Sequence, residues 1–179
     1  GYSHYADDVV DYFCRKSVAN GIDNIRIMDC LNDLRNLTTS VKATQAEGGR
    51  AIVALVYTLG DAYTIDYWKE IVKRIEDMGA DELGLKDMAG LLTPYRAEEL
   101  VRALKETVKI PIAVHTHYTA GVASMTYLKA IEAGCDSIDC AISPLSMGTS
   151  QPSTEVMAEA LRGTPYDPGL NQDLLGEIA

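Results

Sequence analysis

Two histidines, His115 and His117, flank a single threonine. On an extended segment such i and i+2 positions project to the same side, close enough for one metal ion to take a nitrogen from each. The plainer reading is a pair of solvated imidazoles at a strand end. An earlier strand carries Lys86, which faces the interior by alternation with Leu83 and Leu85. A lysine cation beside a bound metal is repelled, so the position calls for an unprotonated amine, or for a carbamate made with carbon dioxide that offers an anionic oxygen. Pairing with a carboxylate such as Asp87 is the simpler alternative. Asp29, Tyr57 and Cys140 also fall where strand gives way to loop. Asp29 either orients a substrate or caps the following helix, and Tyr57 either meets a substrate or packs. Cys140 has no histidine beside it in sequence and reads as a small buried cysteine rather than a nucleophile.

The elements that must hold these residues alternate from end to end. Apolar periodicity places strands at 24–29, 51–58, 82–86, 112–116 and 137–142, with helices at 7–19, 33–47, 65–78, 94–108, 122–133 and 154–161. Thr93-Pro94 reads as an N-cap followed by proline at the first helical position, and Gly21, Gly79 and Gly134 read as C-caps. Those glycines open a short repeat, Gly21-Ile22-Asp23, Gly79-Ala80-Asp81 and Gly134-Cys135-Asp136, each at the passage from helix to strand. Short connections of this kind force parallel strands with helices outside. A doubly wound sheet and a (β/α)8 barrel both satisfy that rule. Polar parity decides between them: Glu82, Gly84 and Lys86 share one face, and so do Ala113, His115 and His117. A sheet covered by helices on both faces would be apolar on both. The expectation is a TIM-type barrel, partial here, with residues 1–179 forming one domain of about five C-terminal βα units, since a whole barrel takes about 250 residues.

Several stretches together resemble the biotin-dependent carboxyltransferase family, which includes the oxaloacetate decarboxylase α subunit and the carboxyltransferase subunit of pyruvate carboxylase. Gly84-Leu85-Lys86-Asp87-Met88-Ala89-Gly90-Leu91-Leu92 resembles the family's lysine-bearing motif, and His115-Thr116-His117 its metal-binding pair. Asp29-Cys30-Leu31-Asn32-Asp33, Asp139-Cys140-Ala141-Ile142-Ser143 and Gly148-Thr149-Ser150-Gln151-Pro152-Ser153 resemble further family segments in the family's order. Departures are Tyr118 in place of a common aspartate, Cys140 in place of a common threonine, and a short Leu59-Gly60-Asp61 loop.

The resemblance implies metal-dependent carboxyl transfer between biotin and pyruvate or oxaloacetate through an enolpyruvate. His115, His117 and carbamylated Lys86 would hold a divalent ion (Zn, Co or Mn), with Lys86 and Asp29 as catalytic candidates and Tyr57, Met88 and Cys140 as substrate contacts. It implies a biotinyl carrier domain or subunit as partner and a homo-oligomeric full enzyme. The family's remaining metal ligand, an aspartate, its carboxylate-binding arginine and its proton-shuttling threonine would lie outside these 179 residues, so this stretch alone is expected to be inactive. An aldol-type lyase or synthase barrel with His-x-His is the competing enzyme reading, and a catalytically silent structural fragment is the third.

Composition narrows the classes. With 179 residues, 47% apolar and a mean hydropathy of -0.04, the chain can bury a sizeable core and is neither disordered nor collagenous. Acidic side chains number 26 against 16 basic ones, a net charge of -10 that would repel nucleic acid. No apolar run reaches the roughly 20 residues of a spanning helix, and the first residues lack the basic-then-apolar order of a leader. Four cysteines without a C-x-x-C pair fit a reducing compartment. The expectation is a cytoplasmic protein that does not insert into membranes.

Overall fold

The computed structural model describes residues 3–179. Helix α1 (Asp7–Ala19) leads into strand β1 (Asn24–Met28). Helices and strands then alternate through α2 (Thr38–Ala46), β2 (Arg50–Val56), α3 (Ile65–Asp77), β3 (Glu82–Asp87), α4 (Pro94–Thr107), β4 (Ile112–Thr116), α5 (Ala123–Glu132) and β5 (Ser137–Ile138), followed by α6 (Thr154–Leu161) and α7 (Gln172–Ile178). The strands are all parallel, and each pairs with its sequence neighbour in the order β1-β2-β3-β4-β5. A doubly wound sheet reverses its strand order at a switch point. This sheet does not, and its unbroken order is that of a TIM-barrel wall.

One face of the sheet and the helices share the core. Val53, Leu55, Leu83, Leu85, Ile112 and Val114 are buried against Trp68, Ile75, Leu100, Leu104 and Tyr127. The helices match that face because their apolar residues recur at helical spacing: Trp68, Ile71, Val72 and Ile75 in α3, and Ala97, Leu100, Val101 and Leu104 in α4. The opposite face carries Arg26 and Glu82 near the strand starts and Lys86 and His115 near the strand ends, with a row of small residues, Ala54, Gly84 and Ala113, between them in register across three strands. A Cβ on Gly84 would lie 3.1 Å from the Ala54 Cβ, so this floor is already close-packed.

Curvature follows from one long contact. Strands about 4.8 Å apart would put β1 about 19 Å from β5 if the sheet were flat. Yet the Arg26 guanidinium on β1 holds the Asp139 carboxylate just past β5. Two side chains cannot bridge that flat distance, so the sheet curls with its polar face inside, as a barrel wall must.

The Gly-x-Asp repeat has a structural role. Gly79 and Gly134 take φ of 92° and 98°, left-handed values that suit glycine after a helix. The aspartate then caps the preceding strand: Asp81 Oδ2 accepts from Ala51 N at 2.8 Å, and Asp136 Oδ2 accepts from Ile112 N at 2.7 Å. Asp23 precedes β1, before which no strand lies among the described residues.

Element boundaries differ from expectation in a few places, each with a local cause. The helix expected over 33–47 opens as a separate 3-10 turn, Leu34–Asn36, because the Asp33 carboxylate accepts from Arg35 N and Asp29 accepts from the Asn36 amide. Thr93 does not cap α4 with its side chain; its carbonyl accepts from Ala97 N at 2.9 Å while Pro94 occupies the first turn. The strand expected over 137–142 pairs only at Ser137–Ile138, because Ala141 turns to bridge Ser153 instead. Helix α7 lies beyond the expected elements; Asn171 caps it through Asp173 N and Leu174 N. No described helix is long and apolar enough to cross a membrane.

Replacing Asp81 with alanine leaves the buried Ala51 N–H unpaired and should cost about 1–3 kcal/mol. Urea unfolding should show a lower midpoint at unchanged slope; an unchanged midpoint would count against the capping role.

Candidate functional site

His115 lies one residue from the end of β4, in register with Lys86 on β3, and His117 follows the strand. The chain stays extended there because His117 N donates to Asp87 O at 3.1 Å. The loop after β3 presses on this segment: a Cβ on Gly90 would sit 2.7 Å from the His117 carbonyl oxygen, and Gly90 has φ +70°. Only glycine fits both the conformation and the approach. Asp87 anchors the same loop. Fully buried, it accepts from Leu91 N at 2.9 Å, Leu92 N at 2.8 Å and the Thr116 hydroxyl at 2.7 Å. Its carboxylate is therefore committed away from Lys86, which disposes of the simple Lys86–Asp87 pair.

Both imidazoles are oriented from behind. His115 Nδ1 is 2.7 Å from Asp139 Oδ2, and His117 Nδ1 bonds the Thr149 carbonyl. A carboxylate and a carbonyl can only accept, so each Nδ1 carries a proton, and in the neutral imidazole each Nε2 then presents a lone pair. Those two Nε2 atoms face each other at 3.2 Å. In that form two lone pairs so close repel, and a cation between them would relieve the repulsion. Two nitrogens on a tetrahedral zinc-like ion stand about 3.3 Å apart for bonds of about 2.0–2.1 Å, so the pair fits a divalent metal. Among the described residues no cluster of three His, Cys, Asp or Glu side chains forms a metal cage, so the two imidazoles alone do not make a complete one.

Lys86 is the adjacent group. Burial lowers its pKa from the ordinary lysine value, and the nearby Arg26 charge lowers it further, against a smaller opposing pull from Asp139. Its surroundings disfavour the ammonium form. Asp139 is held the other way: burial works to raise its pKa, but hydrogen bonds from His115 and Arg26 outweigh that and bring it down to about 2. Gln151 completes the group, its Nε2 3.4 Å from His115 Nε2 and 3.5 Å from His117 Nε2.

The remaining sequence candidates lie apart from this cluster. Asp29 is occupied as a cap, accepting from Leu31 N, Asp33 N and the Asn36 amide. Tyr57 is buried and stacked on Trp68 with ring centroids 5.7 Å apart. With Met88, Cys30, Leu31 and Tyr63 it lines a cavity of about 300 Å³ at the strand ends. Cys140 lines a different cavity, of about 840 Å³, with Arg26, His115 and Asp139. Burial pushes its thiol up to about 12, so it is a poor nucleophile. Lys86, His115 and His117 therefore converge, while Asp29, Tyr57 and Met88 do not join them. Arg26 was missed from sequence although it has inward strand parity, and Asp139 and Gln151 were missed as individual residues within motifs that were noticed.

The loop over His117 is latched at both ends by Glu155, whose carboxylate accepts from Ser143 N at 3.0 Å and from the Ser153 hydroxyl at 2.8 Å. Led by the Ser143 bond, these contacts lower its pKa from 4.5 to about 2. A carboxylate depressed on folding adds stability that is present above its unfolded pKa and lost as pH falls through the folded one. Glu155→Gln should therefore flatten the decline in melting temperature between pH 4.5 and pH 2. Parallel declines in variant and parent would show that the latch does not titrate.

Comparison with known proteins gives this geometry a family. The HMGL-like family model matches residues 12–179. A pyruvate carboxylase subunit of Methanocaldococcus jannaschii is 54% identical over 178 residues, covering 99% of this chain and 31% of that protein. The methylmalonyl-CoA carboxyltransferase 5S subunit of Propionibacterium freudenreichii subsp. shermanii is 42% identical over 180 residues, covering 99% of this chain and 36% of that one. The carboxyl transferase domain of Rhizobium etli pyruvate carboxylase, solved with pyruvate and biocytin, superposes with a TM-score of 0.96 at 41% identity, covering 99% of this chain and 31% of that one. The chain thus spans about a third of the length of these relatives. A family model matched over nearly all its residues, and relatives well above 30% identity along the same stretch, mean that the chain belongs to the HMGL-like family.

Proposed function

We propose that this chain supplies the metal-holding wall of a biotin-dependent carboxyltransferase that moves a carboxyl group between biotin and pyruvate or oxaloacetate. The observation that carries the reading is the pair of Nε2 atoms 3.2 Å apart with Lys86 in register beside His115. It is supported by relatives named pyruvate carboxylase and carboxyltransferase, and by a related domain solved with pyruvate and biocytin. The Lys86-Asp87-Met88-Ala89-Gly90 stretch favours this reading over an aldol-type lyase. A divalent ion held here (Zn, Co or Mn) would act as a Lewis acid toward the keto oxygen of the substrate and favour its enolate.

The chain's own residues have distinct tasks in this reading. His115 and His117 donate Nε2. Lys86, driven toward the free amine by burial and by Arg26, adds to carbon dioxide, loses a proton and becomes a carbamate, whose anionic oxygen is a ligand the neutral amine could not match. Asp87 and Gly90 hold the strand end that aims it. Tyr57 and Met88 wall a cavity at the same end of the sheet, and Cys140 the other side, as surfaces for substrate or biotin rather than reacting groups. Asp29 contributes by shaping the loop between β1 and α2. The working enzyme would be a cytoplasmic homo-oligomer with a biotinyl carrier domain or subunit.

The test uses the whole protein that carries this chain. His115→Ala and His117→Ala should each lose bound metal and reduce pyruvate–oxaloacetate exchange by more than about 100-fold. Lys86→Ala should lose metal and rate together, Lys86→Glu should recover part of the metal, and bicarbonate should speed reloading after chelation. Native mass of the parent should carry one added carbon dioxide. Full metal content in both histidine variants would sink the reading, and an unmodified Lys86 in an active, metal-loaded enzyme would remove the carbamate.

A further inference from the structure

The carboxylate behind His115 is held in place far more elaborately than a surface ion pair needs. The main chain of Asp139 is fixed on both sides: its N–H donates to Val114 O at 3.1 Å, and its carbonyl accepts from the Tyr127 hydroxyl at 2.6 Å, with Tyr127 fully buried. The carboxylate itself is gripped by two guanidinium nitrogens of Arg26, Nη1 on Oδ2 and Nη2 on Oδ1, the latter at 3.3 Å. The remaining direction of Oδ2 points at His115 Nδ1, at 2.7 Å. The Arg26 and Asp139 side chains are 34% and 29% exposed. An ion pair with that much solvent contributes little to stability. The arrangement therefore buys orientation.

We propose that Asp139, clamped by Arg26 from the first strand, is a positioning residue that fixes His115 as the Nδ1–H tautomer and so keeps its Nε2 lone pair directed at His117. The proposal rests on the reading of His115 and His117 as ligands, but the tautomer is a property of the protein alone. Without the carboxylate, neutral imidazole can carry its proton on either nitrogen, and a proton on Nε2 closes the site to a cation. Arg26 matters because a carboxylate free to rotate could turn Oδ2 away. His117 is served differently, by the Thr149 carbonyl, so loss of Asp139 should disturb one imidazole and spare the other.

The test has two readouts. In metal-free protein labelled with 15N-histidine, two-bond proton–nitrogen correlation spectra should show Nδ1–H at His115 and His117 in the parent. Asp139→Asn, which is isosteric and can offer an amide N–H to Nδ1, should shift His115 toward the Nε2–H form and leave His117 as it was; Asp139→Ala should give a mixture, and Arg26→Met a smaller change of the same kind. Zn2+ affinity, measured against a competing chelator, should fall about 10–100-fold in Asp139→Asn. Asp81→Ala, which weakens the fold far from the site, should change neither readout, separating positioning from general destabilisation. An unaltered His115 tautomer in both Asp139 variants would overturn the proposal whatever the metal result. If the tautomer follows Asp139 but the parent binds no Zn2+ at these histidines, the ligand reading fails and the positioning stands.

Discussion

The bend of the sheet, which brings a guanidinium on its first strand to a carboxylate past its last, is the constraint on which this molecule's working face depends. The Arg26–Asp139 contact joins residues 113 positions apart, and it can form only if five parallel strands curl into a wall. The same carboxylate turns its other side to His115. Curvature and imidazole orientation are thus two readings of one contact. The helices contribute indirectly: by covering the outer face with Trp68, Leu100 and Tyr127 they leave most of the sheet's polar side chains to the inner face, and Asp87, the outer-face exception, has its carboxylate filled by three hydrogen bonds.

Between Arg26 and Glu82 at one level and Lys86 and His115 at the next, the row of Ala54, Gly84 and Ala113 keeps the strands close and the interior low. Lys86 and His115 therefore rise beside small neighbours. The loops at the strand ends are correspondingly constrained. Asn32 adopts φ 58° and clamps Val56 with both ends of its amide, accepting from the Val56 N–H at 2.8 Å and donating to its carbonyl at 2.9 Å. Gly90 yields space to the His117 carbonyl. A non-glycine residue held left-handed and a glycine with no room for a side chain are the kinds of strain that collect where a fold must present groups accurately.

Much of this was legible in the amino-acid order because strand geometry has a period of two. That period places Lys86 and His115 on the inner face, and the helix-to-strand repeat of Gly79-Ala80-Asp81 and Gly134-Cys135-Asp136 marks the parallel units. The same rule, pressed further, speaks against two of the candidates and against the Lys86–Asp87 pair: Asp29, Tyr57 and Asp87 share parity with Ile27, Leu55 and Leu85, and so belong to the helix side. It equally assigns Arg26 and Asp139 inward. What local pattern cannot supply is the pairing of those two, because it depends on how far the sheet bends, and bending is a sum over every strand between them. The placement of Gln151 beside both imidazoles is likewise a matter of how a loop returns over the sheet, which no short-range period encodes.

The aspartate caps that tie each strand to the unit after it carry a consequence for how such a chain is made. Asp81 secures Ala51, 30 residues earlier, and Asp136 secures Ile112, 24 residues earlier. Each latch is completed by sequence that leaves the ribosome shortly after the strand it secures, so the wall can be assembled in the order in which it is synthesised, one unit confirming the last. The contact between residues 26 and 139 has the opposite character. It spans nearly the whole assembly and carries the loop-closure cost of that span, so the groups it orients come into alignment only when the growing wall has been finished and bent.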